Sequence, residues 1–149
     1  FSSRSPDNFI LNNEGRFVYT KGNNVQIDAF DRVKKVMHEC KSAFSGISLE
    51  NTFKLEQFKK YLGVAKKYPD DIRVIEYDVV AYDNTLLSSD LNKLASMVKA
   101  AGLNSDQRLV IRLFDFDIGK MPPYIETERY IIDSNGVIVS TEKFISNEP

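Results

Sequence analysis

The sequence predicts an α+β fold, a mostly antiparallel sheet with about three helices packed on it, in the order ββ-α-α-β-α-βββ. Three observations support this prediction. Similar hairpin-like segments lie near both ends of the 149-residue chain. Apolar residues between them recur with a helical period. Short runs with alternating polarity, typical of strands, occupy most of the second half.

Two apolar runs around a polar turn predict the first hairpin. We expect strands at Phe9–Leu11 and at residues 16–21, after a polar lead-in over residues 1–7. The turn between them is Asn-Asn-Glu-Gly, and Gly15 can supply the positive φ that a tight hairpin turn requires.

Apolar residues at steps of three and four predict a first helix from about residue 28 to residue 45. Asp28 is a suitable N-cap, and Gly46 can end the helix. On this helix Cys40 belongs to the apolar face and His38 to the wet side, so the two side chains point in different directions. The apolar stripe consists of Phe30, Val33, Met37, Cys40 and Phe44.

The middle of the chain predicts a helix, a strand and another helix. A second helix is expected over residues 53–67, with Pro69 stopping it. The alternating run over residues 72–82 predicts a strand. A third helix is expected over residues 89–101, with Gly102 just past its end.

Three strands are expected at the end of the chain, over residues 108–116, 124–132 and 137–145. The last two flank the sequence Asp-Ser-Asn-Gly at residues 133–136, a hairpin turn with the same chemistry as the first.

Composition indicates one domain spanning residues 1–149. Because the chain begins with Phe1, we expect it to be part of a longer or processed chain. No run of 18 apolar residues occurs, so no membrane span is predicted within these residues. The net charge is −1, which supplies no overall field for nucleic acid.

Four carboxylates form the best candidate for catalysis. Asp115 and Asp117 alternate on one predicted strand, and Glu126 and Glu128 alternate on the next. If these strands form a hairpin, the four side chains can approach one another and bind Mg²⁺ or Ca²⁺, as in a metal-dependent hydrolase or nuclease. The alternative interpretation is a solvated sheet face whose acidic residues pair with neighbouring Arg and Lys.

No compact catalytic or cofactor motif accompanies these residues. The sequence has no Gly-rich phosphate loop, no G-x-S-x-G and no H-E-x-x-H. With one Cys and one His, it cannot build an ordinary structural zinc site. We therefore expect no cofactor, and a non-catalytic role is favoured over an enzymatic one.

The two hairpin segments and the element order resemble those of PAS and Cache sensor domains. The similarity is carried by "NFILNNEGRFVYT" and "RYIIDSNGVIVST". It implies a sensory or regulatory domain that binds a small ligand or a partner protein, without chemistry of its own. It also implies the extracytoplasmic, periplasmic part of a membrane-anchored signalling protein.

On this hypothesis a ligand pocket lies between helices and sheet, lined by Phe30, Met37, Tyr77 and Phe114. Two alternatives remain open: the metal-dependent hydrolase, and an accessory subunit of a hetero-complex. A homo- or hetero-dimer is compatible with either, since an exposed edge strand can pair with a partner.

Overall fold

A computed structural model describes residues 9–11, 17–19, 27–81, 85–116, 119, 121 and 123–144. A π-helical turn at Leu49–Phe53 leads into the first α-helix. The strands and helices, in chain order, are β1 (Phe9–Leu11), β2 (Phe17–Tyr19), β3 (Ala29–Asp31), β4 (Val36–Ser42), α1 (Leu55–Lys67), β5 (Val74–Val80), α2 (Ser88–Ala101), β6 (Arg108–Phe116), β7 (Tyr124–Asp133) and β8 (Ile138–Lys143).

Strands β3 to β8 form one six-stranded sheet in sequential order, and β1 pairs with β2 in a separate antiparallel ribbon. Within the large sheet β4, β5 and β6 are parallel, while the β3–β4, β6–β7 and β7–β8 pairs are antiparallel. The predicted α+β class with a mostly antiparallel sheet is therefore confirmed.

Both α-helices cover the same face of the sheet, here called the helix face. Each helix connects two adjacent parallel strands. Such connections have the same handedness, and the strands β4, β5 and β6 follow one another in one direction across the sheet, so both helices lie on the same side of it. Helix α1 contacts β5, and α2 contacts β7. Buried aromatic rings fill the space beneath α1, where Phe53, Phe58 and Tyr61 surround Tyr77 at centroid distances of 5.3, 5.6 and 6.4 Å.

The predicted helix over residues 28–45 is wrong, because that segment forms the β3–β4 hairpin. Asp31 begins the connecting turn, and its Oδ1 accepts hydrogen bonds from the backbone N–H groups of Val33 and Lys34 at 3.0 Å each. Lys35 completes the turn at φ 59°. Asp28, expected as a helix N-cap, instead accepts a hydrogen bond from the backbone N–H of Cys40 at 2.8 Å.

A buried charged pair explains the error. Strand β4 turns Met37, Glu39 and Lys41 toward the helix face, so charged residues occupy two of its three inward positions. Lys41 Nζ lies 3.1 Å from Glu39 Oε2, and the pair is almost enclosed. The alternation of apolar and polar residues that identifies a strand is therefore hidden in the sequence.

The other predicted elements are confirmed within a few residues of their expected ends. Gly136 has φ 76° in the β7–β8 turn, as the turn sequence predicted. The first turn, with Gly15, lies outside the described residues, as does the lead-in over residues 1–7. None of the described helices is long and apolar enough to cross a bilayer.

Candidate binding site on the distal face of the sheet

The face of the sheet opposite α1 and α2, here called the distal face, carries a group of charged residues at its centre. Neighbouring strands are in register, with His38 opposite Glu76 and Asp78 opposite Arg112. Because side chains alternate along each strand, residues two apart on one strand share this face. We call the following six residues the charged cluster: His38, Glu76, Asp78, Arg112, Glu126 and Arg129.

Glu76 lies between two positively charged partners in this cluster. Its Oε2 is 3.1 Å from His38 Nδ1 and 3.4 Å from Arg112 Nη1. Asp78, one pleat further along β5, is more loosely held, with its oxygens 4.0 Å from His38 Nδ1 and 3.9 Å from Arg112 Nη1. Both carboxylates are largely shielded from solvent, their side chains being 14% and 21% exposed.

Glu126 joins two arginines from the other side of the cluster. Its carboxylate accepts hydrogen bonds from Nε and Nη2 of Arg112 at 3.2 and 3.0 Å. Nε and Nη2 of Arg129 donate to it at 2.8 and 2.7 Å. A β-bulge in β7 makes this possible, since Leu113 pairs with Glu128 while Phe114 pairs with Glu126. The extra residue brings Glu126 onto the same face as Arg129.

The pKa values of the two neighbouring carboxyl groups of β5 are shifted in opposite directions. Burial alone would raise the pKa of Glu76, but hydrogen bonds with His38 and Asp78 and the positive charges of His38 and Arg112 lower it to about 2. Burial, together with the hydrogen bond to Glu76 and its negative charge, raises the pKa of Asp78 to about 7. Glu76 is therefore the ionised member of the pair, and Asp78 holds a proton up to near-neutral pH.

The bases of the cluster hold their protons more tightly than usual. The hydrogen bond to Glu76 raises the pKa of His38 against the opposing effect of burial. The hydrogen bond to Glu126 likewise raises the pKa of Arg112. The imidazole is accordingly biased toward its charged form, which strengthens its attraction to Glu76.

Two grooves flank the charged cluster on the distal face. The first, about 350 Å³, has an apolar floor and a charged rim. Its lining consists of Val36, Val74, Val110, Ile131, Glu76, Arg108, Arg112 and Arg129. The second, about 270 Å³, adjoins Asp78. Its other lining residues are Cys40, Ser42, Phe44, Val80, Phe114 and Tyr124.

The four residues expected to line one pocket are divided between the two faces. Phe30, Met37 and Tyr77 are buried in the core on the helix face. Phe114 lies on the distal face, where it lines the smaller groove and its ring packs 4.9 Å from the Arg112 guanidinium carbon. A single cavity between helices and sheet is therefore not lined by these four side chains.

The carboxylates expected to bind a metal do not converge where the structure describes them. Glu126 lies on the distal face, whereas Glu128 faces the helix side and accepts a hydrogen bond from the hydroxyl of the buried Tyr130. Asp115 pairs with Ile125 and, by alternation from Leu113, also leans toward the helix side. Asp117 lies outside the described residues.

Sequence reasoning missed His38 and Cys40 as neighbours because it placed them on a helix. On strand β4 they are two residues apart and therefore share the distal face, and Cys40 is exposed instead of belonging to the core. Burial, followed by the nearby Asp78 carboxyl, raises the pKa of the Cys40 thiol. The signal that could have found this grouping is the pair of polar alternations, His-x-Cys on β4 and Glu-x-Asp on β5.

Comparison with known proteins identifies no relative: no protein-family model matches the chain, and neither a curated protein nor a solved structure matches it significantly.

Proposed function

We propose that this chain is a non-catalytic sensory or regulatory domain that binds a small ligand on the distal face of its sheet. The observation that carries the proposal is the charged cluster, whose carboxyl groups are largely shielded from solvent and which opens into a groove on either side. Burying ionised groups is costly unless they are paired and hydrogen-bonded, and grouped residues with perturbed pKa values are typical of functional sites.

The larger groove favours a small organic anion with an apolar part. Four aliphatic side chains form its floor, and three arginines stand at its rim. Guanidinium groups bind carboxylates through two parallel hydrogen bonds, and Arg129 uses only its Nε and Nη2 for Glu126. Arg108, exposed at the end of the groove, is a further donor for the anionic group of the ligand.

The chemistry of the nearby nucleophile supports binding over catalysis. A cysteine reacts as its thiolate, and the raised pKa of Cys40 keeps it protonated at neutral pH. His38, the group that could activate it, instead directs its Nδ1 to Glu76. The resemblance of the two hairpins to PAS and Cache sensors supports a signalling role, and a place in a membrane-anchored receptor is part of this proposal.

Thermal unfolding with defined probes tests the ligand class. We would compare straight-chain carboxylates of increasing length with alkylammonium ions of the same lengths. A carboxylate present at a hundred times its dissociation constant should raise the Tm by roughly 5–10 °C, and the matched ammonium ion should not.

A matched pair of variants assigns the effect to the groove. Arg108→Gln removes a rim cation and should reduce the carboxylate-dependent shift. Lys93→Gln removes an equally exposed cation from α2, on the other side of the molecule, and should leave the shift unchanged. Equal shifts with carboxylates and ammonium ions, or equal effects of the two variants, would rule out an anion site in this groove.

A further inference from the structure

We propose that His38, Glu76 and Asp78 bind one divalent transition-metal ion, with Zn²⁺ as the best match. The site goes beyond the proposed function and does not depend on it, because it requires no organic ligand. Among the described residues these three form the one group whose ligand atoms, an imidazole nitrogen and two carboxylate oxygens, all lie within 4.8 Å of one another.

The spacing of the donor atoms is close to that of a tetrahedral metal site. Ligands bonded to Zn²⁺ at about 2.0–2.1 Å in a tetrahedron lie roughly 3.3 Å apart. His38 Nδ1 is 3.1 Å from Glu76 Oε2 and 4.0 Å from Asp78 Oδ2, so these two distances bracket the required value. Small side-chain rotations would suffice to place all three atoms around an ion.

Rigid backbone holds these side chains in place. His38 and Glu76 are register partners on adjacent parallel strands, and Asp78 follows Glu76 on the same face. All three come from the β4–β5 pair, which adjoins the centre of the six-stranded sheet. A site on strands keeps its geometry better than one on loops, and less ordering is required when the ion binds.

The donor types favour zinc over the hard divalent ions. One imidazole and two carboxylates form a mixed nitrogen and oxygen set, and Zn²⁺ binds both His nitrogen and Asp or Glu oxygen. Mg²⁺ and Ca²⁺ prefer shells made only of oxygen ligands, whereas one of the three donors here is the imidazole nitrogen of His38.

The positive charges around the site are compatible with a bound cation. Arg112 and Arg129 both direct two hydrogen bonds to Glu126, so their charge is largely satisfied there. From these two arginines, Glu76 and Asp78 are approached only by Nη1 of Arg112, at 3.4 and 3.9 Å. Arg112 can release this weak contact and still keep its two bonds to Glu126.

An independent observation also points to a missing partner at Asp78. Its Oδ1 atom, the oxygen of this carboxyl group that lies toward Arg112, is buried, and no hydrogen bond to it is found among the described residues. A buried carboxyl oxygen without a hydrogen bond is costly, and a metal ion that binds this carboxyl group through either oxygen after a small rotation would lower that cost. The two flanking grooves reach Glu76 and Asp78, which gives an ion access from either side.

Titration of the metal-free chain with ZnCl₂ and CoCl₂ at mildly alkaline pH tests the proposal, because the ion must displace the protons that His38 and Asp78 hold near neutral pH. We expect one ion per chain and a visible Co²⁺ spectrum of the intensity that four-coordinate sites give. Mg²⁺ or Ca²⁺ in large excess should not displace the ion. No stoichiometric binding of either metal, or displacement by Mg²⁺ at similar concentration, would overturn the assignment.

Single substitutions separate this site from adventitious binding. Asp78→Asn keeps the side-chain shape and His38→Gln keeps a polar side chain of similar reach, and each should weaken Zn²⁺ binding at least roughly tenfold. Two controls should keep wild-type affinity: Glu142→Gln, which removes an exposed carboxylate from β8, the edge strand farthest from β4, and Cys40→Ser, which removes the adjacent thiol. Tm measured without metal confirms that each variant is folded. Affinity that follows Cys40 and not His38 would show thiol binding only and would refute the site.

Discussion

The two faces of the six-stranded sheet bury different kinds of side chain, and strand β6 contributes residues to both faces. Toward the helices it directs Leu109, Ile111 and Leu113, all completely buried. Toward the distal face it directs Arg108 and Arg112 on either side of Val110. The helix face is closed by apolar packing, which supplies most of the free energy of folding. The distal face instead holds charges at partial burial, where their pKa values and binding properties can be adjusted.

The largest expected effect comes from creating a cavity in the apolar core beneath the helices. Leu109→Ala removes a fully buried side chain beneath the helices and should lower the free energy of unfolding by about 2–5 kcal/mol. Ile131→Ala, a half-buried residue on the distal face of the paired strand, should cost roughly 1 kcal/mol. Chemical denaturation of both variants measures the contrast, and equal losses would contradict the distinction between the faces.

A substitution at Gly136 tests how closely the β7–β8 turn packs against α2. A Cβ atom added at Gly136 would lie 2.5 Å from the Ala95 carbonyl oxygen and 2.8 Å from Lys99 Cβ on α2. Gly136 also has φ 76°. Gly136→Ala should therefore destabilise the protein by about 2–4 kcal/mol in thermal or urea unfolding.

The matched control is the helical glycine on the outer surface. Gly63, in α1, has no atom within 4 Å of an added Cβ. Gly63→Ala should stabilise the protein by about 0.5–1 kcal/mol, since alanine favours the helix. Similar effects at both glycines would show that the turn does not pack on α2 as described.

Loss of a buried neutral polar side chain is expected to lower the free energy of unfolding slightly less than the substitution at Gly136. The Gln107 amide nitrogen donates to the carbonyls of Ala65 at 2.6 Å and Ile72 at 2.8 Å, joining the end of α1 to the start of β5. Gln107→Ala should cost about 1–3 kcal/mol in urea unfolding, because both buried carbonyls lose a donor. Asn104→Ala, which keeps the backbone N–H that bonds Gln107 Oε1, is the control and should change little.

The smallest expected effect is the contribution of Glu126, on the distal face, to the free energy of unfolding, and it should depend on pH. Burial would raise the pKa of Glu126, but hydrogen bonds from Arg129 and Arg112 outweigh it and lower the pKa. A carboxyl group with a lowered pKa stabilises the fold above its ordinary pKa, and this contribution is lost as pH falls through the lower, folded-state value. The wild type should thus lose stability from about pH 5 toward pH 3.

Glu126→Gln removes this carboxyl group's share of the pH dependence, leaves that of Glu76, and should cost on the order of 1–2 kcal/mol at pH 7. Unfolding free energies measured by urea denaturation at several pH values compare it with the wild type. Glu56→Gln, at an exposed site on α1 and away from the charged cluster, should retain the wild-type profile. A Glu126→Gln variant whose acid-side slope equals that of the wild type would contradict the role given to this carboxylate.

The elements that sequence reasoning found share one property: their local pattern agrees with their burial. Helix α1 presents Phe58, Tyr61 and Leu62 on its buried side, and β5 alternates Ile75, Tyr77 and Val79 with polar residues. The β3–β4 hairpin was missed because Glu39 and Lys41 occupy inward positions that a strand of this kind would fill with apolar residues. Their pairing is tertiary, so a linear pattern cannot reveal it.

The candidate site was the less predictable part. Glu126 was singled out from the sequence, but as a metal ligand with Glu128, and the bulge in β7 turns these two side chains to opposite faces. His38, Glu76 and Asp78 were not grouped, because their proximity requires β4 and β5 to be adjacent, parallel and in register. Strand register is set by contacts between distant segments and cannot be inferred from either strand alone.

By itself, the sequence determined the α+β class, both α-helices, the last four strands of the large sheet and the tight turn at Gly136, since helical and strand periods and turn chemistry are local properties of the chain. Only the tertiary structure decided that residues 28–45 form a hairpin and that His38, Glu76 and Asp78 meet on the distal face. The physical reason is that charged residues are brought together by strand pairing and by burial, and both depend on partners far away in the chain.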